Sequence, residues 1–287
     1  MSGPQVQIAL VVWRESVEAP VVIGILDAWL RNVDMATRRR GRRALWVGVI
    51  AGVLLALLLA ALLLLVGNAP DGEGEAYFRT AMVFAAAALI VQTVLWMRVN
   101  GASLRQTIDA RMTGNLRAAN WFGVFLLAAI AIAREGSETA TFLYGILAAS
   151  GASASVALLP AISFGLTAAA ATYALLVLGS YVISWRLFFG ASTAMLLLLA
   201  GALVIAGFSE LIGLDILPAL SGPLWDTSGL LDDHGIIGGL VAELTGYRAR
   251  PEAMIVIVYG AYWTLALWAI SRPTVRRRAP DAGTAAT

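Results

Sequence analysis

Two short stretches of this chain carry charge where everything around them is apolar. Arg14-Glu15-Ser16-Val17-Glu18 and Arg134-Glu135-Gly136-Ser137-Glu138 share the pattern Arg-Glu-x-x-Glu and stand 120 residues apart, which makes them an internal repeat. On a helix, glutamates at i and i+3 share a face and the arginine lies one turn from the second glutamate. Each motif therefore presents two carboxylates beside one guanidinium. If the motifs meet, Glu15, Glu18, Glu135 and Glu138, offset by Arg14 and Arg134, form an oxygen-rich cage with a formal charge of −2. Such a cage suits a small, hard, highly charged cation.

The elements that carry these motifs belong to a membrane protein. Of 287 residues, 60% are hydrophobic and 13% charged, so the chain's solvent is mostly lipid. Crossing about 30 Å of hydrocarbon takes roughly 20 helical residues. Seven stretches qualify: Val6 to Leu30, Ala44 to Gly67, Thr80 to Met97, Ala118 to Ala149, Leu158 to Trp185, Leu187 to Ser209 and Ala253 to Ser271. Only the first and fourth hold ionised residues in their interior. Six such residues would cost about 15 to 20 kcal/mol facing lipid, so they must face the bundle interior or water and are candidates for function. The bland alternative, two Arg–Glu bridges bracing the bundle, leaves one glutamate of each motif without a partner.

Arginine placement sets the expected orientation. The connection after the first span has Arg31, Arg38, Arg39, Arg40, Arg42 and Arg43, that after the third has Arg98, Arg105, Arg111 and Arg117, and the tail has Arg272, Arg276, Arg277 and Arg278. The alternate connections are acidic or uncharged. The positive-inside rule then puts the N-terminus outside and the C-terminus in the cytoplasm, in a plasma (inner) membrane. The first and fourth spans run in opposite directions. The expected fold is all-α: a polytopic membrane protein of seven transmembrane helices, with inverted three-helix repeats (1–3 and 4–6) plus helix 7. Repeat one covers about 4–99, repeat two about 117–213, an outer segment 214–251, helix 7 about 252–272 and a cytoplasmic tail 273–287, all one permease-like domain. Transporters of this build bind substrate near the midplane where the repeats meet. Pro20 and Gly136 add a missing backbone donor and room for close approach beside the motifs.

Other chemistry is excluded or weak. The absence of cysteine removes disulfides, thiolate nucleophiles and soft-metal sites. The arginines sit in short loops rather than on one face, so nucleic acid is not a partner, and there is no phosphate loop or dinucleotide fingerprint. Asp27 lies near the cytoplasmic end of the first span, where it could receive an exiting ion, although an interfacial solvated acid is the plainer reading. Asp232, Asp233 and His234 in the outer segment could capture metal before entry, against the plainer reading of a solvated acidic loop.

The paired Arg-Glu-x-x-Glu motifs in the first and fourth spans of a seven-span chain resemble the oxidase-dependent iron permease (iron/lead transporter) family. The likeness extends to Leu95-Trp96-Met97-Arg98 closing the third span and to Gly246-Tyr247 and Pro251 before the seventh. It implies a permease rather than an enzyme, with no cofactor and with Fe3+ as the transported substrate. It also implies an extracytoplasmic oxidase or peroxidase and an iron-binding partner, and it makes the four glutamates and two arginines the iron-binding set. Ser16-Val17 replaces the family's usual Gly-Leu, and Ser137 replaces Leu, which puts hydroxyls beside the carboxylates. Ser209-Glu210 stands where bacterial relatives often have His-Glu, so Glu210 is a lesser candidate. Two rival readings are an intramembrane metal-dependent hydrolase, which usually needs histidine ligands absent from these spans, and a non-transporting scaffold or sensor for an extracytoplasmic oxidase.

Overall fold

The computed structural model describes residues 3–31, 35–67, 73–117, 121–150, 158–178 and 185–272. Among them are eight helices: α1 (Gly3–Arg31), α2 (Met35–Gly67), α3 (Glu73–Arg117), α4 (Trp121–Ser150), α5 (Leu158–Leu178), α6 (Trp185–Gly213), α7 (Ile236–Thr245) and α8 (Ala253–Ser271). Five of them, α2, α3, α5, α6 and α8, are long and apolar enough to cross a bilayer. The charged helices α1 and α4 have 29 and 30 residues, ample length at 1.5 Å per residue, but their composition alone does not mark them as spans. The protein is multi-pass and its described residues contain no strand.

Two differences from the sequence expectation have physical causes. The segment expected outside, 214–251, contains a helix, α7, whose ten residues are too few to cross a membrane and so escape a search by length. Gly246 ends it in the left-handed conformation (φ 78°), returning its N–H to the Ala242 carbonyl at 2.8 Å. A Cβ there would also press on Ala202 of α6. The second difference is that α3 continues past Arg98 to Arg117, because that stretch is rich in good helix formers such as Ala102, Leu104, Gln106 and Ala110. The side chains of Arg105, Arg111 and Arg117 and the tail arginines Arg276 to Arg278 lie outside the described residues.

Two apolar clusters order the bundle along its length. One joins Ile8, Val11 and Val12 of α1 to Phe142 and Ile146 of α4, together with α3 and α6. The other joins Leu26 and Leu30 of α1 to Val124 and Ala128 of α4. The start of α1 thus lies by the end of α4 and the reverse, so the two helices are antiparallel. Both charged motifs fall between the clusters.

The remaining packing crosses over. α2 packs chiefly on α4, and α5 on α1. Gly52 of α2 sits against the Ala129 carbonyl and Ile132 Cβ, while Gly165 of α5 sits against the Ala9 carbonyl and Val12 Cβ. Ala9 and Val12 precede Ala129 and Ile132 by the same 120 residues that separate the motifs. The absent Cβ at each glycine is what lets the backbones approach. Gly136 does the same where α4 meets Ala56 of α2, without interrupting α4. Trp13 Nε1 donates to Thr172 Oγ1 at 2.9 Å, a polar link between α1 and α5. α2 turns most of its leucines outward, whereas half of the α6 span is buried.

Candidate metal site

Motif 1 is almost closed to solvent: Arg14 is 2% and Glu15 3% exposed. The Arg14 guanidinium pairs with Glu15 through Nη1 and stands 2.8 Å from Glu18 Oε1 through Nη2. The second contact has the distance of an ion pair without the alignment of a hydrogen bond, so Glu18 Oε1, like Glu15 Oε2, is a buried oxygen that accepts none. Pro20 has no N–H for the Ser16 carbonyl, one turn before it in the same helix. Motif 1 is therefore rich in oxygen with spare acceptor capacity.

Motif 2 is arranged differently. Arg134 Nε pairs with Glu138 Oε1 at 3.0 Å, and Glu138 Oε2 accepts from Thr93 Oγ1 of α3 at 2.9 Å. Glu135 has no arginine at ion-pair distance among the described residues. Instead it joins motif 1: one oxygen each from Glu15, Glu18 and Glu135 lie within 4.8 Å of one another. An ion with metal–oxygen bonds of about 2.1 Å spaces its ligands by roughly 3 Å in cis and 4.2 Å in trans. The three carboxylates are thus a small side-chain adjustment from a shared coordination sphere. Glu138 stands outside that trio, occupied by Arg134 and Thr93. The Ser137 hydroxyl donates to the Arg134 carbonyl at 2.8 Å, so its proton is engaged by its own helix.

α3 completes the surroundings. Met97 Sδ lies against Arg14 Nη2, and Arg134 Cζ lies 3.9 Å from the centroid of the Trp96 ring. Thr93, Trp96 and Met97 are spaced i, i+3, i+4 on one side of α3. Sequence reading missed them as site residues; the available signal was their spacing at the depth of the motifs.

The lesser candidates sit elsewhere. Asp27 pairs with Arg31 at 3.0 Å and with Arg42 of α2 at 2.7 Å, tying the end of α1 to the start of α2. Glu210 lies 3.9 Å from Arg79 and its side chain is 43% exposed. Asp232, Asp233 and His234 form a second group with ligand atoms within 4.8 Å, in the segment between α6 and α7. His234 Nδ1 is 3.1 Å from Asp233, and the Asp232 and Asp233 carboxylates also accept backbone N–H groups of His234 and Ala249. These bonds fold the loop. In the same segment Asp226 is held down to about 2 by hydrogen bonds from the Ser228 hydroxyl and N–H, with Arg250 adding to them.

The sequence profile of the iron permease FTR1 family matches residues 5–272, a range that takes in both motifs and every helix but the first two residues of α1. The chain belongs to that family. An uncharacterised protein of Archaeoglobus fulgidus is 27% identical over 274 residues, 90% of this chain and 92% of its own. The ferrous iron permease EfeU of Shigella sonnei is 25% identical over 273 residues, 92% and 94% of the two chains. That of Yersinia pestis is 23% identical over 261 residues. No solved structure matches. This iron permease family member is a membrane transporter of metal, not an enzyme, which sets aside the hydrolase reading.

Proposed function

We propose that this permease carries iron inward across the plasma membrane as Fe3+, held in transit by Glu15, Glu18 and Glu135, with Glu138 joining as Arg134 yields it. The observation that carries the reading is the convergence of three carboxylates from two antiparallel helices, midway between two apolar clusters. Oxygen-only ligation and surplus negative charge favour a hard trivalent ion. The carboxylates bind metal only when deprotonated, so protons compete at the site.

Seven spans, with α7 as a short outer helix, and inverted repeats over 1–3 and 4–6 fit the crossover of α2 onto α4 and α5 onto α1. The matched contacts of Gly52 and Gly165 support the same reading. With the N-terminus outside, a cation enters from the side of the outer segment and leaves when the repeats rock. The chain shows no nucleotide motif, and a potential of 100 mV, negative inside, supplies about 7 kcal/mol for three charges. An extracytoplasmic oxidase or peroxidase and an iron-binding protein would present Fe3+ at the entrance. A second reading, Fe2+ as cargo, is favoured by the names of the relatives EfeU.

Uptake of radiolabelled iron into oriented proteoliposomes tests both. The expected result is potential-driven entry from the outer-segment side, with citrate-held Fe3+ preferred over ascorbate-held Fe2+. Glu18→Ala and Glu135→Ala should each lose at least about tenfold, since even outer-shell partners of metal ligands cost that much. Preference for Fe2+ would select the second reading. Unimpaired flux in either variant would remove the site, and binding without flux would leave only a scaffold or sensor.

A further inference from the structure

A cation can take the glutamates only if the arginines let go of them. Arg14 is buried against Glu15 and Glu18, and Arg134 holds Glu138. A guanidinium stripped of its carboxylate at this depth would be a charge without a partner inside the membrane, the costly case. Both arginines, however, already touch a second partner that carries no charge and cannot ligate in competition as a carboxylate would. Arg134 lies over the Trp96 ring at 3.9 Å, and Arg14 Nη2 is in contact with Met97 Sδ. The two partners are adjacent residues of α3, one turned to each motif, and Thr93 one turn earlier holds Glu138 Oε2.

We propose that Trp96 and Met97 are positioning residues that retain the two motif arginines when the glutamates turn to the metal, so that α3 sets how tightly the site loads. The aromatic face attracts a cation through its quadrupole and the thioether is a polarisable weak acceptor, so both hold a guanidinium without cancelling its charge. Because each contact is neutral on the protein side, the −2 balance of the cage remains available to the ion. The inference rests on the four-glutamate reading above and deepens it.

The test is iron uptake in proteoliposomes by Trp96→Leu, Trp96→Phe, Met97→Leu and, as a control on the site itself, Glu135→Gln. Trp96→Leu and Met97→Leu should each raise KM for iron by roughly 3- to 10-fold, the scale of one lost cation–π or sulfur contact, with maximal flux per folded protein little changed. Trp96→Phe, which keeps a ring face, should recover most of the wild-type KM. A wild-type KM in both leucine variants, or lower flux that follows loss of folded protein while KM stays put, overturns the proposal. So does failure of phenylalanine to improve on leucine. If Glu135→Gln abolishes uptake while the α3 variants behave as wild type, only this inference falls; if Glu135→Gln transports normally, the site reading falls first.

Discussion

Arg14 and Arg134 occupy the same place in the same motif, yet their side chains are 3% and 36% exposed, and only Arg14 faces both glutamates of its motif. Removing a buried partner leaves its counter-charges uncompensated, which costs about 3 to 5 kcal/mol, and Arg14 would leave two such glutamates where Arg134 would leave one that Thr93 still holds. Arg14→Leu should therefore lower thermal stability in detergent well beyond Arg134→Leu, and equal shifts would show that the asymmetry has no energetic weight. The charged members of the candidate site were legible in the sequence because lipid makes each ionised residue in a span expensive, so six of them stand out. Thr93, Trp96 and Met97 were not, since a threonine, an aromatic and a thioether within an apolar span resemble ordinary packing. Their role comes from which helix α3 lies beside. Nor could the sequence distinguish Glu138, tied to Arg134 and Thr93, from the three glutamates that converge, because motif spacing alone treats the two repeats as equals.

At the scale of elements, close approach between helices is set by small residues. A Cβ on Gly165 would lie 2.7 Å from the Ala9 carbonyl, and one on Gly52 would lie 2.8 Å from the Ala129 carbonyl, whereas one on Gly260 of α8 meets nothing within 4 Å. Overpacking a tight contact typically costs about 1 to 3 kcal/mol. Gly52→Leu and Gly165→Leu should accordingly destabilise the detergent-solubilised protein by similar amounts while Gly260→Leu is tolerated; a large effect at only one of the first two would argue against equivalent contacts. Gly48 and Gly52 stand four apart in the sequence, the spacing that lets helix backbones approach, but such spacing names no partner helix. Length and hydropathy located the five apolar helices α2, α3, α5, α6 and α8, and the same criteria passed over α7 and the extension of α3. A ten-residue apolar helix is too short to span, and a polar helix with good formers reads like a loop rich in arginine.

In the molecule as a whole, two helices running in opposite directions bring acid to one place. Apolar clusters flank the motif layer on both sides, with α2 packed on α4 and α5 on α1. Membership in the iron permease family points to iron as the cargo, and three carboxylates from separate halves of the chain lie near enough in this layer to be offered to one ion. The most direct test is a metal-binding isotherm on purified protein, comparing wild type, Glu18→Gln, Glu135→Gln and the double variant. A shared site predicts one ion per chain, lost or strongly weakened by either single substitution, with the double variant little worse than the singles because they remove the same interaction. Two independent sites, each surviving the substitution in the other motif, with losses that simply add, would contradict the account.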